Sequence, residues 1–286
     1  MRMSVKIVGI AIVTLAVINV LVWYAAISAR PGVLTVSFLD IGQGDAIFIR
    51  APNGRTALID GGPGSSVVRQ LGREMRWFDR SIDLVIATHP DADHVGGLID
   101  VLKKYNVSII AQSSVDGSSS FWDSFERAAI QERQQGAHIV TAQRGQVFDL
   151  GDGAYLEVLS PDRAVPHVET NMGCVVTRLV YGDTAFMLPC DAPQAIEKYL
   201  TYLDGKNLKS DVLKAGHHGS KTSSSALFLG FVNPTYGVFS RGCKNRYGHP
   251  APETVDIFKR FNIPVEDTCT KGTITFISDG QKVSLQ

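Results

Sequence analysis

Leu84-Val85-Ile86-Ala87-Thr88-His89-Pro90-Asp91-Ala92-Asp93-His94-Val95-Gly96-Gly97 runs from an apolar tetrapeptide straight into a loop with two histidines and two aspartates within six residues. The apolar run reads as a buried strand and residues 97–104 as a helical pattern, so the acids and imidazoles sit at a strand's C-terminal end, where α/β sheets place their chemistry. Imidazole and carboxylate together are donors for Zn²⁺, Mn²⁺ or Fe. A solvated turn with Asp93 as a helix cap would need a carboxylate but not both histidines. A metal site is therefore the reading, with the Gly96-Gly97 pair expected to let the backbone pass close to the ions.

Two segments downstream repeat this arrangement. Phe186-Met187-Leu188-Pro189-Cys190-Asp191 is an apolar run ending in an acid, and Asp211-Val212-Leu213-Lys214-Ala215-Gly216-His217-His218 is another ending in paired histidines. Alone, Asp191 would read as the cap of a helix over residues 192–203. Between two histidine motifs it becomes a candidate bridge between two ions, with His217 closing one coordination sphere.

The motifs extend further. Phe38-Leu39-Asp40-Ile41-Gly42-Gln43-Gly44-Asp45-Ala46, Leu58-Ile59-Asp60-Gly61-Gly62, the segment from His89 to Gly97, Asn171, Asp191, the segment from Gly216 to Thr222, and Asn245-Arg246-Tyr247-Gly248-His249-Pro250 follow in order across residues 34 to 286. In this order and spacing the chain resembles the metallo-β-lactamase-fold hydrolases and, among them, the C-terminal hydrolase domain of the competence protein ComEC. The resemblance implies an α/β fold of the αββα sandwich type, two mixed β-sheets flanked by helices, with a dinuclear site along one edge. It also implies a nuclease acting on incoming DNA. Asp93, His94 and His217 would hold one ion and His89 and Asp91 the other, with Asp191 shared; Asn171 would complete the second ion or contact substrate. Asp60, ending a strand, is expected to orient a ligating histidine. Lys221, His218 and His249 are the remaining candidates for gripping phosphate or protonating a leaving alkoxide, with ordinary surface or turn roles as the alternative for Lys221 and His249.

The chain departs from the wider fold where a histidine ligand is replaced by Asp91 and another by Asn171, changes that ComEC-type sequences share. Oxygen donors shift preference from Zn²⁺ toward Mn²⁺ or Mg²⁺ at one position, so the cofactors expected are two divalent ions, Zn²⁺ or Mn²⁺. The same departures disfavour a β-lactamase proper. Cys190 stands where the family usually has Gly, and Cys174 where it often has Ser.

The remaining sequence agrees with this layout. Strand-like runs at 35–38, 46–50, 56–59, 84–87, 107–111, 155–159, 175–181, 185–188, 212–215, 236–240 and 273–277 alternate with helical patterns at 67–75, 97–104, 121–135, 192–203, 224–231 and 253–261. With 286 residues, 44% hydrophobic, and no long Pro/Ser/Gly linker, residues 31–286 read as one hydrolase domain. Residues 1–30 read as a separate segment. The apolar run 7–28, preceded by Arg2 and Lys6, is long enough to be a single membrane-spanning helix with the catalytic domain extracytoplasmic; Ala25-Ala26-Ile27-Ser28-Ala29 offers the alternative of a cleaved, secreted form. Cys174, Cys190, Cys243 and Cys269 lack metal-finger spacing and do not establish a disulfide framework; Cys174 and Cys190, near the ligand motifs, are expected as buried unpaired thiols, with a role beside the metal ligands as the alternative.

Charge does not single out the substrate. Lys and Arg equal Asp and Glu at 28 each, without the basic excess usual for tight DNA binders, although Arg241, Lys244 and Arg246 form a local basic strip. Three readings follow: a nuclease acting on DNA beside a separate DNA-uptake channel protein, an envelope phosphodiesterase of phosphorylcholine or teichoic-acid type, and a non-catalytic DNA-binding partner of such a channel.

Overall fold

The structure is a computed structural model that describes residues 5–28 and 32–286. Helix α1 (Val5–Ser28) precedes strands β1 (Leu34–Phe38), β2 (Ile47–Arg50) and β3 (Thr56–Ile59). Helix α2 (Ser66–Glu74) leads to β4 (Ser81–Ala87), then α3 (Ala92–Val95), α4 (Leu98–Lys104), β5 (Asn106–Gln112), α5 (Ser120–Gln134) and β6 (His138–Thr141). The second half begins with β7 (Val147–Gly151), β8 (Ala154–Ser160), β9 (Val176–Tyr181) and β10 (Thr184–Leu188). It continues through α6 (Gln194–Asp204), β11 (Val212–Lys214), α7 (Ala226–Val232), β12 (Tyr236–Phe239), α8 (Pro252–Arg260), β13 (Val265–Asp267), α9 (Thr268–Lys271), β14 (Ile274–Ser278) and β15 (Val283–Leu285).

The strands form two mixed sheets, β15-β14-β1-β2-β3-β4-β5-β6 and β13-β12-β11-β10-β9-β8-β7. Between the sheets lies one core, in which alternate residues of each strand point inward: Val36 and Phe38 from β1, Leu84 and Ile86 from β4, Phe186 and Leu188 from β10. Phe276 stands edge-on to Phe38 at 6.1 Å and to Phe186 of the opposite sheet at 6.2 Å, joining the two layers. The other face of the first sheet buries Phe48, Leu58 and Val85 against α2, α4 and α5 through Leu71, Leu98, Val101 and Phe125. The other face of the second sheet buries Met187 and Leu213 against Leu200, Phe228 and Phe258. Central strands covered on both faces read as continuous apolar runs, which is why β4 and β10 are legible in sequence. The result is the expected αββα sandwich.

Parallel pairing positions the site. The registers Ile59↔Ile86 and Met187↔Leu213 bring the C-terminal ends of β3, β4, β10 and β11 to one edge of the sandwich.

Two expectations are corrected. Among the described residues no helix is long and apolar enough to cross a membrane. The side chains described in α1, residues 7–23, are exposed. Arg2 and Arg30, which flank it, lie outside the described residues. Cys174 and Cys190 are not unpaired thiols but are bonded to each other, and Cys243 is bonded to Cys269. Pairing of β9 with β10 sets Cys174 and Cys190, just beyond the hairpin's paired ends, within reach of each other.

Candidate metal centre

Each imidazole at this edge is held from behind. Asp60, immediately after β3, accepts from the Thr88 backbone N–H (2.8 Å) and the Thr88 hydroxyl (2.7 Å), and its Oδ2 lies 2.8 Å from His94 Nδ1. Because Thr88 donates to Asp60, its oxygen is free to accept from His89 Nδ1 at 3.0 Å. His218 Nδ1 donates to the Ser240 carbonyl at 3.0 Å, and His217 Nδ1 lies 3.3 Å from Thr222 Oγ1. Anchoring Nδ1 leaves Nε2 as the atom turned to the interior.

The Nε2 atoms of His89, His94 and His218 are fully buried and have no hydrogen-bond partner. Leaving three such atoms bare costs about 1–3 kcal/mol each, so the arrangement fits a ligand they share. Around them the carboxylates converge: Asp191 Oδ2 is 3.3 Å from His94 Nε2, 3.4 Å from His218 Nε2 and 3.5 Å from His217 Nε2, and Asp93 Oδ2 is 3.5 Å from His218 Nε2. Donor atoms of His89, His94 and Asp191 lie within 4.8 Å of one another, as do those of Asp93, His94 and His218. Asp191, buried and reached by three imidazoles, belongs to the first set and lies beside two imidazoles of the second.

Electrostatics follow from this crowding. Burial opposes ionisation of Asp191, yet His218, His94 and Lys214 hold its carboxyl well below the ordinary range. Burial likewise opposes charge on Asp93, which His218 and His94 hold low. In return, and against burial, Asp191 and Asp60 hold His94 well above the ordinary imidazole range, while Asp191 and Asp45 do the same for His218. Burial and the neighbouring His94 push His89 well down. A carboxylate cluster that stabilises protons on its imidazoles equally stabilises a cation in their place, with release of those protons.

The other sequence-derived residues occupy the rim. Asp91 Oδ2 is 3.7 Å from His89 Nε2 with 42% of its side chain exposed, and Asn171 Oδ1 is buried without a partner. His217, 28% exposed, is nearer solvent than His218 and belongs to neither of the two donor sets above. The His249 ring is 5.6 Å from that of His217; burial, with His217 and His218 nearby, pushes it down to about 4. Lys221 is exposed, on the same loop as Thr222. The glycine pair does not line the ions' path as expected. A Cβ on Gly97 would meet the Gly61 carbonyl oxygen at 2.0 Å, and one on Gly96 the Pro63 carbonyl oxygen at 2.6 Å, so these glycines serve backbone-to-backbone packing.

Two residues were given no role in the sequence reading. Asp45 and Lys214 form a buried ion pair, each about 1–2% exposed. Lys214 Nζ also donates to the Cys190 carbonyl at 3.1 Å and lies 3.5 Å from Asp191, while Asp45 Oδ1 is 3.4 Å from His218. The signal available was Gly42-Gln43-Gly44 before Asp45: Gly44 has φ +119°, and a Cβ there would meet the Asp93 carbonyl oxygen at 2.1 Å. Strain concentrates here too, with Asp60, Cys190, His217 and His218 all at positive φ of 45–58°.

A model of the Metallo-beta-lactamase superfamily matches residues 39–242. ComE operon protein 3 of Bacillus subtilis (strain 168) is 31% identical over 260 residues, covering 84% of this chain and 32% of that protein. Competence protein ComA of Neisseria gonorrhoeae is 31% identical over 242 residues, covering 84% of this chain and 32% of that protein. The chain thus spans about a third of the length of these curated relatives. Among solved structures, CmlA, a diiron beta-hydroxylase from Streptomyces venezuelae, is similar with a TM-score of 0.54 at 12% identity over 82% of this chain and 52% of that one, a likeness of fold alone.

Proposed function

The chain belongs to the metallo-beta-lactamase superfamily, and from that premise we propose that it is a binuclear metal-dependent phosphodiesterase whose substrate is DNA. The observation that carries the proposal is the trio of buried, unpartnered Nε2 atoms of His89, His94 and His218 facing Asp93 and Asp191. His89 with Asp91 and Asn171 would hold one divalent ion, and Asp93, His94 and His218 the other, with Asp191 common to both. His217 borders the second set, 3.5 Å from Asp191. The oxygen donors Asp91 and Asn171 favour Mn²⁺ beside Zn²⁺. When bound, such a pair of ions activates water and stabilises charge on the attacking and leaving oxygens of an in-line displacement.

The protein's own groups do the rest. Asp60, Thr88 and Ser240 fix the imidazole orientations, and Lys214 keeps Asp45 and Asp191 ionised within the interior. At the rim, Lys221, His249 and the exposed Tyr247, whose ring stacks on His249 at 5.6 Å and carries the Arg246 guanidinium at 5.1 Å, offer a cation and an aromatic face. That pairing suits the phosphate and base of a single strand. The competence name of the Neisseria gonorrhoeae relative supports DNA as the substrate. The two disulfides support an oxidising, extracytoplasmic location.

The test is hydrolysis of linear DNA and of bis-p-nitrophenyl phosphate by the full chain, stripped by chelator and resupplied with Mn²⁺, Zn²⁺ or Mg²⁺, with Asp93→Ala as control. Metal-dependent and Asp93-dependent loss of both substrates is expected. Turnover of the small diester alone would move the substrate to envelope phosphodiesters, and DNA binding without turnover under every metal would refute the enzyme.

A further inference from the structure

The segment Arg76-Trp77-Phe78-Asp79-Arg80 precedes β4, whereas the metal-binding loop follows it. Seven extended residues separate the two, about 20 Å. At this far end Trp77 is 84% exposed and Phe78 54%, their rings edge-on at 5.6 Å with no core residue covering them. Four exposed arginines surround them: Arg69 and Arg73 on α2, one turn apart, then Arg76 and Arg80. None meets a carboxylate within 4 Å among the described residues, because Asp79 is engaged with the Arg76 backbone N–H and Glu74 with Ser37.

The same end carries a groove of about 770 Å³ lined by Arg50, Arg76, Glu74 and Asp152 with Thr35 and Thr275. Burial and the nearby Arg76 push the half-buried Arg50 guanidinium down, against Asp79 and Glu74, which favour its charge.

We propose that this end of the sandwich docks on an anionic phospholipid bilayer, with Trp77 and Phe78 entering the headgroup boundary and Arg69, Arg73, Arg76 and Arg80 against the surface. Exposed aromatics next to unpaired arginines match such a boundary in both apolar content and charge. Placement favours a membrane over a nucleic acid. The chain enters β1 at this end, where Thr35 pairs with Arg50, after the exposed apolar side chains of residues 7–23. The metal centre is at the opposite end, where a strand held by Trp77 would be out of its reach. Docked in this way, the protein points its site away from the bilayer.

The test is flotation of the full chain with vesicles of phosphatidylcholine alone and with roughly 30% phosphatidylglycerol, at salt that keeps the Debye length near ~10 Å. Association through the first helix alone would be equal on both, so the readout is the gain given by the anionic lipid. A gain of about tenfold or more is expected, lost in both Trp77→Ser/Phe78→Ser and Arg73→Gln/Arg76→Gln/Arg80→Gln. Slowed amide exchange over residues 75–80 on anionic vesicles should accompany it. The side chains changed are exposed, and the fluorescence of the buried Trp122 checks that each variant is folded. Equal flotation on both vesicles would overturn the proposal, as would variants that keep the anionic gain. Loss of single-stranded DNA binding with lipid binding intact would assign the surface to nucleic acid instead.

Discussion

Replacing Lys214 by Met isolates the energetics of the centre. Lys214 is about 1% exposed and pairs with an equally buried Asp45, with Asp191 at 3.5 Å. Methionine matches the lysine stem but removes the charge, leaving Asp45 with His218 at 3.4 Å and the more distant His94 as counterions. Breaking a buried pair by removing one partner costs about 3–5 kcal/mol, whereas replacing both partners by groups of similar size is close to neutral. Lys214→Met should therefore lose about 4 kcal/mol in urea unfolding followed by Trp122 fluorescence under chelator, and Asp45→Asn/Lys214→Met should regain most of it. A loss of roughly 4 kcal/mol in a domain of this size lowers Tm by about 10 °C. Although burial opposes both charges, the Asp45 carboxyl is held below its ordinary range and the Lys214 ammonium above its own. The Asp45 contribution is thus fully present above the unfolded carboxylate pKa of about 4 and lost as pH falls further. The Lys214 contribution is fully present below about 10.4 and lost as pH rises past it. The double variant should lack both limbs. A single variant within about 1 kcal/mol of the parent, or a double variant no better than the single, would refute the reasoning.

Asp60→Asn, which weakens the hold on His94 while keeping its size, should reduce metal affinity about 10- to 100-fold in chelator competition; unchanged affinity would separate Asp60 from the centre. Removing the crosslink by Cys174→Ala/Cys190→Ala, with a separation of 16 residues, should cost about 3 kcal/mol in urea unfolding. A cost below roughly 1 kcal/mol would show that the bond does not constrain the unfolded chain as assumed. Gly97→Ala sets a methyl 2.0 Å from the Gly61 carbonyl oxygen, against backbone that cannot yield. It should destabilise by about 1–3 kcal/mol and weaken metal binding, and a Tm equal to that of the parent would contradict the close approach.

Much of the sandwich is legible in the sequence because its central strands are buried on both faces and its helices carry apolar stripes. The elements that escape are marginal ones. β6 is exposed or half-buried at every position, and β13 and β15 are three residues long, too short for a period to register. The acids and imidazoles around β4 and β11 stand out because no fold-level role requires such clusters. Lys214 does not, since a lysine reads as a surface residue until Asp45, 169 positions away in sequence, is placed beside it. The choice between His217 and His218 is invisible for a different reason: left-handed backbone at both residues, φ 49° and 55°, decides which ring turns inward. Disulfide pairing was hidden likewise, because separations of 16 and 26 residues acquire meaning only once strand pairing joins their ends.

The donors come from both halves of the chain: Asp45, Asp60, His89, Asp93 and His94 from the first sheet's connections, Asp191, Lys214 and His218 from the second's. During synthesis the first group emerges long before the second. Until β10 and β11 are made, Asp45 has no lysine, and His89 and His94 face no Asp191. The early half must keep its polar edge in water, which discourages premature closure of a half-core. Burying these groups without the carboxy-terminal half would leave them unneutralised, a cost that opposes closure of a half-core. A chain truncated before residue 191 would present this charged edge to solvent, and the centre is complete only once the segment through His218 has been made.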